Sequence, residues 1–150
     1  MNIERLQALS ARLRTVDPNN FTLRGWIQQR GDGSVRRCTA CVAASMPQFN
    51  LLGYVLWPWP YDNDYGGGVW PVYGDEHGLG AFREFFGFNF IDDAHYTLTS
   101  AEHDAPPSVI ADRIDAMIAA ELLRRGESPV TESTDAALAR VDAEQMECAP

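Results

Sequence analysis

Two thiols stand three residues apart in Cys38-Thr39-Ala40-Cys41, and no other pair in the chain has a spacing so suited to chemistry. A C-x-x-C at the start of a helix places a sulfur at the positive end of the helix dipole. That lowers the thiol pKa and suits disulfide exchange or nucleophilic attack. Arg36 and Arg37 directly precede the pair and would favour a thiolate further. The same sulfurs could ligate zinc, but a structural zinc site needs four ligands, and the chain has no second C-x-x-C. His77, His95 and His103 would have to arrive through the fold. Against both readings, Ala40, Val42, Ala43 and Ala44 surround Cys41 with small apolar groups, the setting of a cysteine packed as a small hydrophobe. We expect Cys41 buried, Cys38 partly so, and neither a metal nor any other cofactor.

Two further groupings carry candidate chemistry. Asp92-Asp93-Ala94-His95 sets Asp92 and His95 at i, i+3, neighbours on one helix face that could form an acid–base pair or part of a metal site. A solvated helix face with a local Asp–His contact is the reading preferred for them. Trp57-Pro58-Trp59-Pro60-Tyr61, with Tyr65 and Trp70, is an aromatic cluster stiffened by alternating prolines. Aromatic side chains offer large contact area at low entropy cost and dominate binding hot spots. Asp62, Asn63 and Asp64 beside Gly66-Gly67-Gly68 lack the twelfth-position Glu of a calcium loop and the Lys-Ser/Thr ending of a phosphate loop.

The elements that must position these groups follow from periodicity. Ile3, Leu6, Leu9, Leu13 and Val16 recur at three and four, marking an amphipathic helix over 2–16 with Asn2 as its cap and Pro18 beyond its end. Residues 21–29 fit a short strand or a helical turn, and Gly31-Asp32-Gly33-Ser34 a tight turn. Residues 37–46 read as a slim helix carrying both cysteines, halted by Pro47. LLGYVLW at 51–57 and VWPVY at 69–73 predict a hairpin with a long tip, in which Pro71 demotes the second strand to an edge. Residues 79–86 predict a helix stopped by Gly87, and Asn89 can cap a short helix from Phe90 to about Tyr96. Pro106-Pro107 opens the clearest helix, striped by Val109, Ile110, Ile114, Met117, Ile118 and Leu122 and ended by Gly126. Beyond it, residues 126–150 turn acidic and poor in large apolar groups, predicting a weakly helical or disordered tail that includes Cys148.

Composition narrows the function classes. A chain of 150 residues with 45% hydrophobic and 22% charged residues is sized for one domain with a proper core. No apolar run approaches the length of a membrane span, and no basic start followed by an apolar stretch marks an export signal. A reducing, cytoplasmic setting is the expectation for its three cysteines. The net charge of −9 and the lack of any basic stripe disfavour nucleic-acid binding, which depends on phosphate neutralisation. An acidic body instead suits a basic partner surface.

The order of motifs resembles that of a broad group of small uncharacterised proteins encoded by bacteriophages and bacteria. The resemblance rests on Phe21, Leu23 and Trp26; on Ala40, Cys41 and Ala43; on Phe85, Phe86, Gly87 and Phe88; and on Val109, Ile110, Ala111, Arg113 and Ile114. It spans most of residues 1–125. Arg36-Arg37-Cys38 replaces the group's usual Cys-Gly-Thr, and Ala44 its usual Gly. The resemblance implies a shared fold and a mobile-element setting, with no activity attached.

These readings combine into an α+β fold, mainly helical, with a small antiparallel hairpin, compact over 1–125. The function expected is that of a non-enzymatic interaction module of phage or mobile-element type, an accessory or counter-defence factor with a protein partner. Trp59, Tyr61 and Tyr65 would do the binding. One alternative is a small Cys- or metal-dependent enzyme using Cys38 or Cys41 with a histidine such as His95. Another is a sponge for a nucleotide ligand, with Trp59 or Tyr61 stacking a base and Arg36 or Arg37 holding a phosphate.

Overall fold

A computed structural model of the chain describes residues 1–58, 68–89, 94–99 and 104–128, with the side chains of residues 94–96 also left aside. The order is α1 (Ile3–Leu13), a 3-10 turn (Pro18–Asn20), β1 (Ile27–Gln29), β2 (Val35–Arg37), α2 (Thr39–Ala43), α3 (Pro47–Leu51), β3 (Val55–Pro58), β4 (Val69–Tyr73), β5 (Glu76–His77), α4 (Leu79–Phe86), α5 (Ala94–Thr99) and α6 (Pro107–Arg125). The fold is α+β and mainly helical. Its strands form two small antiparallel sheets, β1-β2 and β3-β4-β5. The acidic tail, the hairpin tip with Trp59, Tyr61 and Tyr65, and the segment Asn89 was expected to cap lie mostly or wholly outside the described residues.

α1 forms as its sequence dictates. The Asn2 Oδ1 accepts the Arg5 N–H at 3.0 Å, satisfying one free first-turn donor, and Leu6, Leu9 and Leu13 are buried along one stripe. That stripe packs on α6, which buries Ile110, Ala111, Ile114 and Ile118. Polar groups fix the register of the pair. The buried Ser10 hydroxyl donates to Asp115 Oδ1 at 2.6 Å, while Arg14 pairs with Asp115 at 2.6 Å and Asp112 at 2.8 Å. Gly87 and Gly126 end α4 and α6 in the left-handed conformation, as expected.

The core between these helices and the three-stranded sheet is aromatic. Tyr54 stacks on Phe85 with ring centres 4.6 Å apart, and Phe49 meets the Phe85 edge at 5.0 Å. The Phe82 and Phe86 rings sit 4.7 Å apart alongside. Such offset and edge-on pairs add to the burial of large apolar area. The Tyr54 hydroxyl donates to the Ala40 carbonyl at 3.2 Å, so the polar tip of this buried ring is satisfied and ties α2 to the core.

Three local expectations are corrected, and one hairpin is added. Residues 37–46 do not form one helix. Pro47 disfavours helical geometry at Met46, which is extended at φ −84° and ψ 122°, and the chain restarts as α3 with Pro47 in its first turn. The run 51–57 is not one strand either. Leu51 closes α3, the chain turns at Leu52 and Gly53, and β3 begins at Val55. Residues 27–29 pair with 35–37 as a second hairpin, turned where Asp32 Oδ1 accepts the Ser34 N–H at 2.9 Å. Finally, β4 is the central strand of its sheet despite Pro71. The Pro71 carbonyl accepts the Gly78 N–H at 2.8 Å, so its missing N–H also falls on the β5 side, where the two-residue β5 has already ended and needs no partner.

Candidate functional site

The cysteine pair sits where a β-hairpin feeds a helix. The Cys38 N–H donates to the Trp26 carbonyl at 3.0 Å, and the Cys38 carbonyl accepts the Val42 N–H at 2.8 Å. Residue 38 is therefore both the end of the hairpin ladder and the N-cap of α2. Cys41 follows at the third helical position. The Thr39 hydroxyl donates to the Leu98 carbonyl, pinning the first turn of α2 to α5. Both thiols are free and out of solvent, with exposures of 1% for Cys38 and 0% for Cys41. Cys38 is thus more deeply buried than the sequence led us to expect.

The two sulfurs differ in electrostatic setting. Burial pushes the Cys38 thiol up, but the neighbouring Cys41 thiol and the N–H groups of Cys41 and Ala40 outweigh it and hold Cys38 below the ordinary thiol range. The Cys38 sulfur accepts no capping hydrogen bond of normal geometry, so these N–H groups act by proximity and direction, as helix N-termini do. Cys41 is raised well above the ordinary range, by burial first and by the neighbouring Cys38 second; the Arg37 charge offsets only part of this. The two thiols are thus shifted in opposite directions.

Arg36 and Arg37 do not act together. Successive strand residues point to opposite faces. Arg36 Nε donates to the Asn19 carbonyl at 3.1 Å on the exposed side. The Arg37 Nε is buried with no hydrogen-bond partner among the described residues, and its charge reaches Cys41. The buried Nε had no signal in the sequence beyond its position beside the cysteines.

The aromatic surface is described up to the base of the hairpin tip. Trp57 lies directly opposite Trp70 across β3 and β4. Trp57 is 62% exposed, however, so it covers no core. Trp70 is partly buried and its ring lies 4.2 Å from that of His77, tilted by 33°. Trp26 closes the same corner. Gly78 has φ +60°, and a Cβ there would stand 3.2 Å from the Trp26 ring. This corner joins the two sheets and was not legible as a cluster, because its members come from β4, β5 and the segment before β1.

His95 belongs to α5, and Asp92, Asp93 and His103 lie outside the described residues. Among the described residues, no three His, Cys, Asp or Glu side chains converge as a metal site. No described helix is long and apolar enough to cross a membrane. No family model, curated protein or solved structure matches the chain.

Proposed function

We propose that the protein is a non-catalytic interaction module that docks a protein partner through the β3–β4 hairpin, with Trp57 as an anchor. One observation carries this reading. Of the four exposed large apolar side chains among the described residues, Leu51, Leu52 and Trp57 fall within one short stretch, with Leu51 89% and Trp57 62% exposed. Exposed tryptophan is the residue type most enriched in binding hot spots.

The backbone of β3 supports the same reading. Since the Pro71 carbonyl is taken on the β5 side, Leu56, its register partner, forms a non-hydrogen-bonded pair with it. The Leu56 N–H and C=O then point to the open side of β3, where an added strand could pair. Pro58 offers no donor, so this edge is short, and side chains must supply most of the affinity. Trp59, Tyr61 and Tyr65 follow directly in the sequence. With a net charge of −9, the fitting partner is a protein with a basic surface around an apolar slot. The mobile-element setting implied by the motif order makes an accessory or counter-defence role in the host cytoplasm the corresponding biological reading.

The test is affinity capture from the native host with the parent chain and with Trp57→Ala, Trp59→Ala and Tyr61→Ala. The parent should retain a basic protein that elutes as salt rises, and the Trp57 variant should lose it while melting like the parent. If all three variants hold every captured protein as the parent does, the docking reading fails.

A further inference from the structure

We propose that Cys38 and Cys41 form a dithiol that a small peroxide oxidises to an intramolecular disulfide, an oxidative modification site independent of the docking surface. Position within the helix makes the bond geometrically available. Cys38 is the N-cap, and its carbonyl already holds the Val42 N–H at 2.8 Å, so residues 38 and 41 follow helical spacing. Helix rise and radius place Cα atoms three residues apart at about 5 Å. That lies inside the roughly 4.4–6.8 Å span that disulfides bridge. Closure therefore needs side-chain rotation and little backbone movement.

Burial selects the oxidant. With Cys38 at 1% and Cys41 at 0% exposure, a bulky disulfide cannot align its two sulfurs with an attacking thiolate in the folded chain. A molecule the size of hydrogen peroxide needs only a local opening. The surroundings also assign the order of attack. Cys38 stands at the start of α2 beside the N–H groups of Ala40 and Cys41, which favour its thiolate, whereas burial raises Cys41 and the Arg37 charge offsets that only in part.

The steps balance. The Cys38 thiolate attacks one peroxide oxygen, the O–O bond breaks, and the leaving hydroxide takes up the proton that Cys38 lost, giving Cys38 sulfenic acid and one water. Cys41 then attacks the Cys38 sulfur, the S–O bond breaks, and the departing hydroxide carries away the Cys41 proton as a second water. Two electrons pass from the dithiol to the peroxide.

The experiment uses the full chain with Cys148→Ser, which leaves Cys38 and Cys41 as its only thiols. The reduced protein is exposed to hydrogen peroxide and its intact mass is recorded. The expected product is lighter by about 2 Da, the two thiol hydrogens, and dithiothreitol added in denaturant restores the starting mass. Adding Cys41→Ser should stop the reaction at a Cys38 sulfenic acid, read as a gain of about 16 Da, whereas adding Cys38→Ser should leave little oxygen adduct. An unchanged mass at peroxide levels that oxidise Cys148 of the parent chain would overturn the proposal. So would stable oxygen addition to either cysteine of the Cys148→Ser chain without loss of the two hydrogens. The mass readout in that background does not depend on how well the core variants fold.

Discussion

At the scale of single residues, the chain uses a glycine's freedom where its two sheets meet. Gly78 adopts φ +60° and ψ −130°, a region open in practice to glycine alone, and its α-carbon faces the Trp26 ring. Its N–H also closes on the Pro71 carbonyl, so the backbone cannot relax without losing that bond. Gly78→Ala should destabilise the protein by about 1–3 kcal/mol, read from the urea midpoint at constant slope. An unchanged midpoint would show that the corner yields freely. Cys41 offers a second measure of tightness. It is fully buried among Ala40, Val42, Ala43 and Ala44, and Cys41→Leu should cost about 1–3 kcal/mol through overpacking.

At the scale of elements, α1 and α6 are held by packing and by one polar device. The Ser10 hydroxyl is buried and, among the described residues, has only Asp115 at 2.6 Å and the weaker Ala111 carbonyl at 3.3 Å as acceptors. Asp115→Ala should cost about 1–2 kcal/mol because it weakens a buried hydroxyl's pairing and releases Arg14. Asp112→Ala, which breaks only an exposed ion pair, should cost about 0–1 kcal/mol. Equal losses in thermal melts of the two would refute this division. Both helices were legible in the sequence, since their stripes, the Asn2 cap and the terminal Gly126 all agree. Elements set by tertiary contact were less so. β1 and β5 are two or three residues long, too short for periodicity to register, and they exist because neighbouring strands supply their partners. The restart at Pro47 was misread because proline ends a helix before it and begins one after it, and sequence alone does not separate the two uses. The thiol pair was legible as a motif. The buried Arg37 Nε that distinguishes its surroundings was not, because burial belongs to the fold.

At the scale of the whole molecule, charge decides how stability responds to acid. The chain carries a net charge of −9 near neutrality and has a sequence pI of about 4.6. Lowering the pH toward that value relieves self-repulsion and should not by itself unfold the protein. Glu121 then sets an opposing trend. Hydrogen bonds from Arg124 and Arg125 hold its carboxyl down to about 2. Both contacts measure 2.8 Å, and Arg125 also donates to the Met1 carbonyl at 3.2 Å, linking the end of α6 to the start of the chain. A carboxylate whose folded pKa lies below its unfolded value adds stability that is complete above the unfolded value and is lost as pH falls through the folded one. The loss attributable to Glu121 should therefore run from the ordinary glutamate range down to about pH 2. Glu121→Gln keeps the shape and removes the titration, so its melting temperature should fall less steeply across that window than the parent's. Parallel curves for the two proteins would show that the α6 terminus contributes nothing to acid stability, and that the fall arises in other carboxylates.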